Sequence, residues 1–416
     1  MRERKYQIDT PENRAFLASE VSELLRFCRR FPAPTGSSYW LGMSGEPVKE
    51  QIRGTWITAR MLHGYVLGGF LGFEGCDELV DAALRGLLGE LHDEEFGGWF
   101  YGVDARGAPA GEPAGVKECY QQAFAILAGT SALLAGRPRA EELLAKAKAE
   151  YDVHFWDEKE GMARDSWNRD FTVCDPYRGL NANMHSTEAF LAAADVCGEE
   201  EYRVRAGRII DRVIGWAEAN DWRIPEHYSE DWVPDPECNR DRPADGFRPY
   251  GSTPGHGMEW ARLIVQWALS MFLTDPGAAD PYIEAAQALY GRAREGWFAD
   301  GKPGFVYTCG WDGKPVVHDR FHWVLAEAIN TSAVLYRVTM DPRYAEDYAE
   351  YLEYLDKYMI DHERGSWFHQ LDRDNRPVDG VWSGKMDLYH ALQAMIIPYY
   401  DPSLSIALGV KRKAAL

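Results

Sequence analysis

The sequence predicts an all-α protein, a closed barrel of six inner and six outer helices with short β-hairpins at the end where the inner helices begin. A unit of one glycine- and aromatic-rich hairpin followed by two helices recurs about six times, at a period of roughly 55–70 residues. Within a unit one helix is amphipathic and the other apolar nearly all round, as expected of an outer and an inner ring. We expect one domain over residues 1–416. An open solenoid is the alternative, but it would show atypical terminal repeats.

Each helix is predicted from apolar residues at helical spacing. The first follows Thr10, has a proline at its first position and ends before Pro32. The others are predicted near 52–70, 79–91, 117–135, 141–154, 181–196, 201–219, 256–273, 280–297, 320–337, 342–360 and from 385 to just before 398. A connection at 225–254 is rich in Pro, Asp and Trp, and loops of this length are commonly functional.

Composition excludes several classes of function. The formal net charge of -20 makes nucleic acid and anionic membranes poor partners. Seven scattered cysteines without a C-x-x-C pair argue against a disulfide framework and a structural zinc site. The first residues, Met1–Lys5, are not followed by an apolar run, and no stretch is long enough to span a membrane. We therefore expect a cytoplasmic protein with neither a signal peptide nor a membrane partner.

Three histidines stand near the starts of predicted inner helices. His185 and His256 are each followed three residues later by a glutamate, Glu188 and Glu259, on the same helix face. His390 opens the last inner helix. A single buried histidine such as His63 is more often a core residue, but three at equivalent positions of a repeat predict one shared cavity.

Other polar and aromatic residues lie on the same faces of these otherwise apolar helices. They are Arg60, Tyr120, Asn181, Trp323, Glu327 and Met386. Unpaired buried polar groups cost about 1–3 kcal/mol each, so these groups must pair with one another or line a wet pocket.

Three kinds of chemistry fit such a set. Two His and two Glu could bind zinc or manganese, but no H-E-x-x-H or D-x-D cluster supports it, and we expect no metal and no cofactor. Glycoside hydrolysis needs a carboxylic general acid, whose pKa a neighbouring His or Arg would lower instead of raising. Histidine pairs suit proton transfer between neighbouring carbons near neutral pH, which is isomerase or epimerase chemistry.

The motifs resemble those of the N-acylglucosamine 2-epimerase superfamily. They span nearly the whole chain in order: Thr58-Ala59-Arg60-Met61, Lys117-x-x-Tyr120, Asn181-x-x-x-His185-x-x-Glu188, Pro254-Gly255-His256-Gly257-Met258-Glu259-Trp260, Trp323-x-x-x-Glu327 and Lys385-x-Asp387-x-Tyr389-His390-x-x-Gln393. The resemblance is strongest to the aldose–ketose isomerase branch, the mannose and sulfoquinovose isomerases. It implies an (α/α)6 barrel and a metal-free cis-enediol mechanism that interconverts D-mannose and D-fructose, with D-lyxose as a second substrate giving D-xylulose.

The same resemblance implies roles for the residues. His390 would remove the C2 proton, and His256, oriented by Glu259, would return a proton at C1. His185 would open the ring or bind a hydroxyl. The implied sugar contacts are Arg60, Tyr120, Asn181, Glu188, Trp323 and Glu327.

Three alternatives stay open at the level of the sequence. A sugar 2-epimerase of the cellobiose or N-acylglucosamine type shares the histidines. A sulfoquinovose isomerase is disfavoured by Met386, which is apolar where that branch has polar groups near C6. A non-catalytic sugar-binding module is the alternative from another class. The expected partner is a monosaccharide, and the sequence is compatible with a monomer or a homo-oligomer.

Overall fold

The computed structural model describes residues 5–271 and 276–414. The α-helices are α1 Pro11–Cys28, α2 Thr55–Phe70, α3 Cys76–Leu87, α4 Cys119–Leu134, α5 Ala140–Glu150, α6 Leu180–Cys197, α7 Glu200–Ala219, α8 Pro254–Met271, α9 Asp280–Arg294, α10 His322–Thr339, α11 Pro342–Tyr354, α12 Leu388–Ile396 and α13 Ile406–Ala414. The short strands are β1 Trp40–Leu41, β2 Pro47–Val48, β3 Arg53–Gly54, β4 Gly102–Val103, β5 Pro109–Ala110, β6 Lys117–Glu118, β7 Trp156–Asp157, β8 Met162–Ala163, β9 Ser166–Trp167, β10 Arg178–Gly179, β11 His227–Tyr228, β12 Thr308–Cys309, β13 Pro315–Val317, β14 Arg320–Phe321 and β15 Gln370–Leu371.

The helices form two concentric rings. Helices α2, α4, α6, α8, α10 and α12 contact one another in that order, and α12 contacts α2, so the inner ring closes. Helices α3, α5, α7, α9 and α11 each pack on the inner helix that precedes them, while α1 packs on α12. The predicted (α/α)6 barrel is confirmed, and the closed ring excludes the open solenoid.

Burial follows from the composition of each ring. Every residue of α2 from Thr55 to Gly68 is buried, whereas α11 buries mainly one face, which carries four tyrosines. Small residues permit close packing inside the barrel. A Cβ on Gly64 would lie 2.8 Å from a Leu388 methyl of α12, and one on Gly129 would lie 2.9 Å from the Leu144 Cα of α5.

Two kinds of strand pairing occur at the inner-helix N-terminal end. The pairs β1–β2, β4–β5, β7–β8 and β12–β13 are the local hairpins that the sequence predicted. A second set of strands directly precedes the inner helices: β3 before α2, β6 before α4, β10 before α6 and β14 before α10. Each pairs antiparallel with a strand further along the chain, namely β4, β9, β11 and β15 in the same order. In β10–β11, for example, Gly179 lies opposite His227. This second pairing connects neighbouring repeats.

The cross-repeat pairing explains one systematic error in the predicted boundaries. Helices α2, α4 and α10 begin two or three residues after their predicted starts at 52, 117 and 320. The intervening residues are extended, as the N-cap residues Gly54 (φ -81°, ψ 147°) and Glu118 (φ -105°, ψ 140°) illustrate. The backbone N–H and C=O groups of these extended residues are hydrogen-bonded to the partner strand, so these residues cannot become part of the helix.

Several predicted helix ends were also wrong. Helices α5 and α11 end at Glu150 and Tyr354, and π-helical turns at 151–155 and 355–359 follow them. Helices α3 and α9 are shorter than predicted, ending at Leu87 and Arg294. The predicted end of the eighth helix, Leu273, and the first four residues of the chain lie outside the described residues.

The C-terminal region departs most from prediction. Helix α12 begins at Leu388 instead of near 385, because Asp387 is its N-cap and accepts a hydrogen bond from the Tyr389 backbone N–H (3.0 Å). Helix α13 was not predicted. It packs against α2, α4 and α6.

Buried ion pairs fix the starts of the inner helices. A basic residue just before the helix reaches an acidic residue of an adjacent turn in four repeats: Arg53–Glu90 (3.0 Å), Lys117–Asp93 (3.2 Å), Arg320–Asp300 (2.8 Å) and Lys385–Asp361 (2.5 Å). In the last of these pairs the carboxylate also stabilises the turn to which it belongs. Asp361 accepts hydrogen bonds from the backbone N–H groups of Glu363 and Arg364, at 3.1 Å each.

The seven cysteines are free thiols, which agrees with the prediction that no disulfide framework exists. Among residues 5–271 and 276–414, no helix combines the length and apolar character that crossing a bilayer requires.

Breaking one of these ion pairs should destabilise the barrel. In Lys385→Met the carboxylate of Asp361, whose side chain is 6% exposed, loses its cation, and we expect the free energy of unfolding to fall by about 3 kcal/mol. Denaturant unfolding measures the change. Lys314→Met is the control, because the exposed Lys314–Asp312 pair should contribute less than about 1 kcal/mol. Equal effects of the two substitutions would contradict a special role for the buried pair.

Candidate active site

A pocket lies at the end of the barrel where the inner helices begin, and all six inner helices contribute to it. The contributing side chains are Trp56 and Arg60 of α2, Tyr120 of α4, Asn181 and His185 of α6, His256 and Glu259 of α8, His322 and Trp323 of α10, and His390 of α12. Met386 and Asp387, just before α12, also line it. Helix N-termini carry a partial positive charge, so six of them directed at one pocket favour electron-rich ligand groups.

The three predicted histidines meet in this pocket. The Trp323 ring lies between His256 and His390, at centroid distances of 5.1 Å and 5.9 Å. The Tyr389 ring connects His390 (4.8 Å) to His185 (6.4 Å). The imidazoles therefore surround a single cavity.

Most of the other predicted residues line the pocket, but two do not. Arg60, Tyr120, Asn181, Glu259, Trp323 and Met386 are part of its surface. Glu188 and Glu327, predicted as sugar contacts, are absent from that surface in the described part of the chain. They lie behind the histidines: Glu188 is 3.7 Å from the Nδ1 of His185, and Glu327 is hydrogen-bonded to His390. Each is about one helical turn further into the barrel than the residue that precedes it in its motif.

His390 is held by a buried carboxylate. Its Nδ1 lies 3.0 Å from Oε1 of Glu327, whose side chain is fully buried. Burial alone would raise the pKa of Glu327, but Arg262 and His390 lower it below its usual value. The carboxylate is thus ionised and keeps the imidazole proton on Nδ1, which leaves Nε2 free to accept a proton. Burial lowers the pKa of His390 itself, against the opposing effect of Glu327.

The partner of His256 is a residue that the sequence did not identify. Nδ1 of His256 lies 3.0 Å from Oε2 of Glu226, a buried residue at the start of the long connection. The predicted pairing of His256 with Glu259 is therefore wrong. The two catalytic candidates His256 and His390 have the same arrangement, in which a carboxylate holds Nδ1.

Glu259 has a different environment. Its Oε1 lies 3.9 Å from Nδ1 of His185 and 3.5 Å from Nη2 of Arg262. Its Oε2 has no hydrogen-bond partner in the described part of the chain. Burial, together with the nearby charge of Glu327, raises the pKa of Glu259 well above its usual range. A neutral carboxyl group on the pocket surface can donate a hydrogen bond to a sugar oxygen.

His185 is a neutral imidazole near neutral pH. Burial lowers its pKa to about 4, although Glu188 raises it. Its ring packs on Tyr120 and Phe124, with centroids at 5.0 Å and 4.7 Å. A neutral imidazole in this position can donate and accept hydrogen bonds with sugar hydroxyls.

Arg60 joins the predicted sugar-binding residues to Asp387. Its guanidinium lies 3.2 Å from Asp387 and donates to the Tyr120 hydroxyl at 2.7 Å. Burial would raise the pKa of Asp387, but Arg60 and His322 hold it well below its usual range. This buried ion pair presents fixed hydrogen-bonding groups along one wall of the pocket.

A second pair of histidines was missed. The rings of His322 and His369 stack at 4.0 Å with an interplanar angle of 11°. His322 lies 3.4 Å from Asp387, whose backbone N–H donates to Nε2 of His369 (3.3 Å). Burial lowers the pKa of His369 well below its usual value, so that ring is neutral. His322 directly precedes the Trp323 that the sequence did identify.

Two connecting segments cover the pocket. Phe247, from the connection at 225–254, packs edge-on against Trp56 (6.1 Å), Tyr120 (5.6 Å) and Trp382 (5.3 Å), the last from the segment before α12. Arg248 fixes this roof, since it lies 2.8 Å from Asp165. The long connection therefore covers the pocket, which agrees with the functional role that its length suggested.

Among residues 5–271 and 276–414, two groups of acidic and histidine side chains are close enough together to hold a metal ion. They are His185, Glu188 and Glu259, and Glu259, Glu327 and His390. Both groups lie beside the guanidinium of Arg262, which donates to Glu327 at 3.0 Å and contacts Glu259. A protein cation thus already neutralises the carboxylates that a metal would use.

His63 lies on the far side of Arg262 and these carboxylates, away from the pocket. It lines a second cavity, deeper in the barrel, together with Ser131, Glu188, Arg262 and residues of the segment before α13. Its Nδ1 lies 2.8 Å from the Ser131 hydroxyl. This position agrees with the interpretation of His63 as a core residue, outside the pocket.

A model of the family described as N-acylglucosamine 2-epimerase (GlcNAc 2-epimerase) matches residues 36–394. The chain belongs to this family. A family relative, the D-mannose isomerase of Thermobifida fusca, is 43% identical over 95% of this chain and 97% of its own length. The D-mannose isomerase of Pseudomonas cannabina pv. alisalensis is 40% identical over 96% of each chain. A crystal structure of a D-mannose isomerase superposes with a TM-score of 0.84 at 27% identity, covering 92% of this chain and 97% of that one.

Burial of His63 should make stability depend on acidity. Burial lowers its pKa to about 4, so between about pH 6.5 and 4 the unfolded chain binds a proton that the folded protein does not. The free energy of unfolding therefore falls as the pH falls through this range, by up to about 1.4 kcal/mol per pH unit for this residue. We expect His63→Gln to reduce the slope by about that amount, measured by urea unfolding at several pH values. An unchanged slope would mean that His63 titrates alike in both states.

Proposed function

We propose that this protein is a D-mannose isomerase, which interconverts D-mannose and D-fructose and also D-lyxose and D-xylulose. The observation that carries the proposal is the pair His256 and His390, two imidazoles in one pocket, each with Nδ1 on a buried carboxylate. Such a pair can move a proton between adjacent carbons of a sugar without a cofactor. The full-length similarity to two D-mannose isomerases supports this substrate over other aldoses.

The proposed reaction begins with the open-chain aldose. Nε2 of His390 removes the C2 proton, and the electron pair forms a cis-enediol as the aldehyde oxygen gains a proton. His256 delivers a proton to C1, the O2 proton leaves, and C2 becomes the ketone. The net change moves one hydrogen from C2 to C1 and one proton from O2 to O1, with no oxidant or reductant required. His390 then releases the proton that it took, and His256 regains the proton that it gave.

The other pocket residues bind and prepare the sugar. His185 assists ring opening or binds a hydroxyl, and Glu259, as a neutral acid, donates a hydrogen bond to a sugar oxygen. Arg60, Tyr120, Asn181 and Trp323 contact the hydroxyls, and Met386 gives an apolar surface that disfavours a C6 sulfonate. Glu188 and Glu327 act on the histidines, not on the sugar.

The covered pocket fits a small ligand. Because Phe247 and Trp382 meet above it, the site is suited to a monosaccharide more than to a disaccharide. The whole chain, 1–416, would be one catalytic domain, and its free cysteines suit a cytoplasmic enzyme.

The direct test is incubation with D-mannose in the presence of EDTA, followed by assay for D-fructose. Formation of fructose at an unchanged rate in EDTA is the expected result. Glucose as the product would identify a 2-epimerase, and preferred turnover of sulfoquinovose would identify that isomerase. Loss of activity in EDTA would assign a metal to the carboxylate clusters, and sugar binding without turnover would support a non-catalytic module.

Each of the two histidines should be needed for turnover. We expect His390→Ala and His256→Ala to lower kcat by about 10²–10⁴-fold, the usual contribution of a general acid or base, with a smaller change in KM. Steady-state kinetics on D-mannose measures both constants. His362→Ala, whose imidazole is 61% exposed, is the matched control and should retain full activity. Activity near that of the wild type in either pocket variant would remove that histidine from the mechanism.

A further inference from the structure

A buried guanidinium lies directly beneath the pocket. Arg262, on α8 two turns after the helix start, is 5% exposed. Its Nε donates to Oε2 of Glu327 (3.0 Å), and its Nη2 lies 3.5 Å from Oε1 of Glu259. Within the described part of the chain, Arg262 is not among the residues that line the pocket.

The charge of Arg262 is required by its surroundings. Three carboxyl groups, those of Glu188, Glu259 and Glu327, act on this guanidinium. The other buried arginine of the site, Arg60, is paired with Asp387 instead. Like charges that share a low-dielectric site cannot all stay ionised without a counter-charge. Arg262 therefore determines which of these carboxyl groups keeps its charge.

The hydrogen bonds show which carboxylate Arg262 stabilises most. The two carboxylate oxygens of Glu327 have different partners. Oε1 faces Nδ1 of His390, and Oε2 accepts a hydrogen bond from Nε of Arg262. Asn330 adds a long contact to Oε1, at 3.4 Å. The planar guanidinium thus fixes the rotation of the carboxylate and leaves Oε1 for the imidazole. Glu259, held at a longer distance by the same guanidinium, is the neutral member of the set.

We propose that Arg262 is a positioning residue for His390. It keeps Glu327 ionised and correctly rotated, and through Glu327 it holds the proton of His390 on Nδ1, so that Nε2 faces the substrate as a base. The consequence for catalysis rests on the proposed isomerase function, but the consequence for the imidazole does not. A purely structural ion pair would stabilise the barrel without affecting the His390 tautomer.

The kinetic test uses Arg262→Gln and Arg262→Lys on D-mannose. For Arg262→Gln we expect kcat to fall about 10–100-fold, as is typical when the partner of an active-site histidine is disturbed, while KM changes less than about twofold. Arg262→Lys restores the charge but not the two-point geometry, and it should recover part of kcat. Because Arg262 does not line the pocket, a change confined to KM would contradict the proposal.

A matched control separates positioning from stability. Arg205 of α7 is likewise buried, is 7% exposed and donates to two carboxylates, Asp152 and Glu201, but lies in the outer ring. Arg205→Gln should lower the thermal midpoint and leave kcat unchanged. An equal loss of kcat in the Arg205 and Arg262 variants would mean that destabilisation alone explains the effect, and the proposal would be overturned.

A spectroscopic readout decides the matter independently of turnover. In protein labelled with ¹⁵N-histidine, long-range ring correlations distinguish the two neutral tautomers, and His390→Gln identifies the signals of His390 among those of the eleven histidines. We expect Nδ1–H in the wild type and a mixture of tautomers in Arg262→Gln. An unaltered tautomer would overturn the proposal whatever the kinetics. If the wild type fails to turn over any aldose, the proposed function fails, yet this measurement still decides the role of Arg262. If Arg262→Gln does not fold, Arg262→Lys serves for both measurements.

Discussion

The structure depends on one electrostatic constraint: charges enclosed by the helices must find partners within the barrel. Isolated ions cost several kcal/mol in such surroundings, and two sets of buried charges are placed against opposite ones. At the rim the pairs of the Lys385–Asp361 type attach the turns to the inner helices. Deeper, Arg60 meets Asp387 and Arg262 meets Glu327. Of the two catalytic candidates, His390 is oriented by Glu327 of the deeper set, and His256 by a separate buried carboxylate, Glu226.

The pocket is asymmetric as a result. Its floor is a network of charged groups with fixed positions, while its roof is aromatic and belongs to two connecting segments. The floor can hold an imidazole in one tautomer because rigid helices carry both partners. The roof places apolar rings above these charges, and electrostatic interactions are stronger in low-dielectric surroundings than in water. Proton transfer between two carbons of a sugar benefits from both properties.

The periodic parts of the site could be predicted from the sequence, and the rest could not. His185, His256 and His390 stand at equivalent points of a repeat, so pattern alone placed them in one cavity. Helical spacing identifies a face but not a depth, and Glu188 and Glu327 were therefore assigned to the sugar although they lie behind the histidines. Glu226 and Phe247 belong to a connection without periodicity. Their positions depend on how that segment crosses the barrel, and thirty residues separate Glu226 from the His256 that it contacts.

The same distinction applies to the fold. Amphipathic and apolar helices alternate clearly enough to predict two rings. The two-residue strands before α2, α4 and α10 carry no signal of their own, because their partners lie far along the chain in the next repeat. Helix α13 is nine residues long and buries Ala407 and Val410, and such short helices acquire their stability from packing and not from propensity.

Closure of the inner ring by α12 has a consequence for biosynthesis. His390 and Asp387 belong to the last element of that ring, and α1, made first, has α12 as its packing partner. During translation the part of α1 that packs on α12 stays uncovered until α12 has been made and has left the ribosome. Contacts this distant in sequence slow folding and expose the nascent chain to aggregation, so the period before ring closure is when assistance from chaperones matters most.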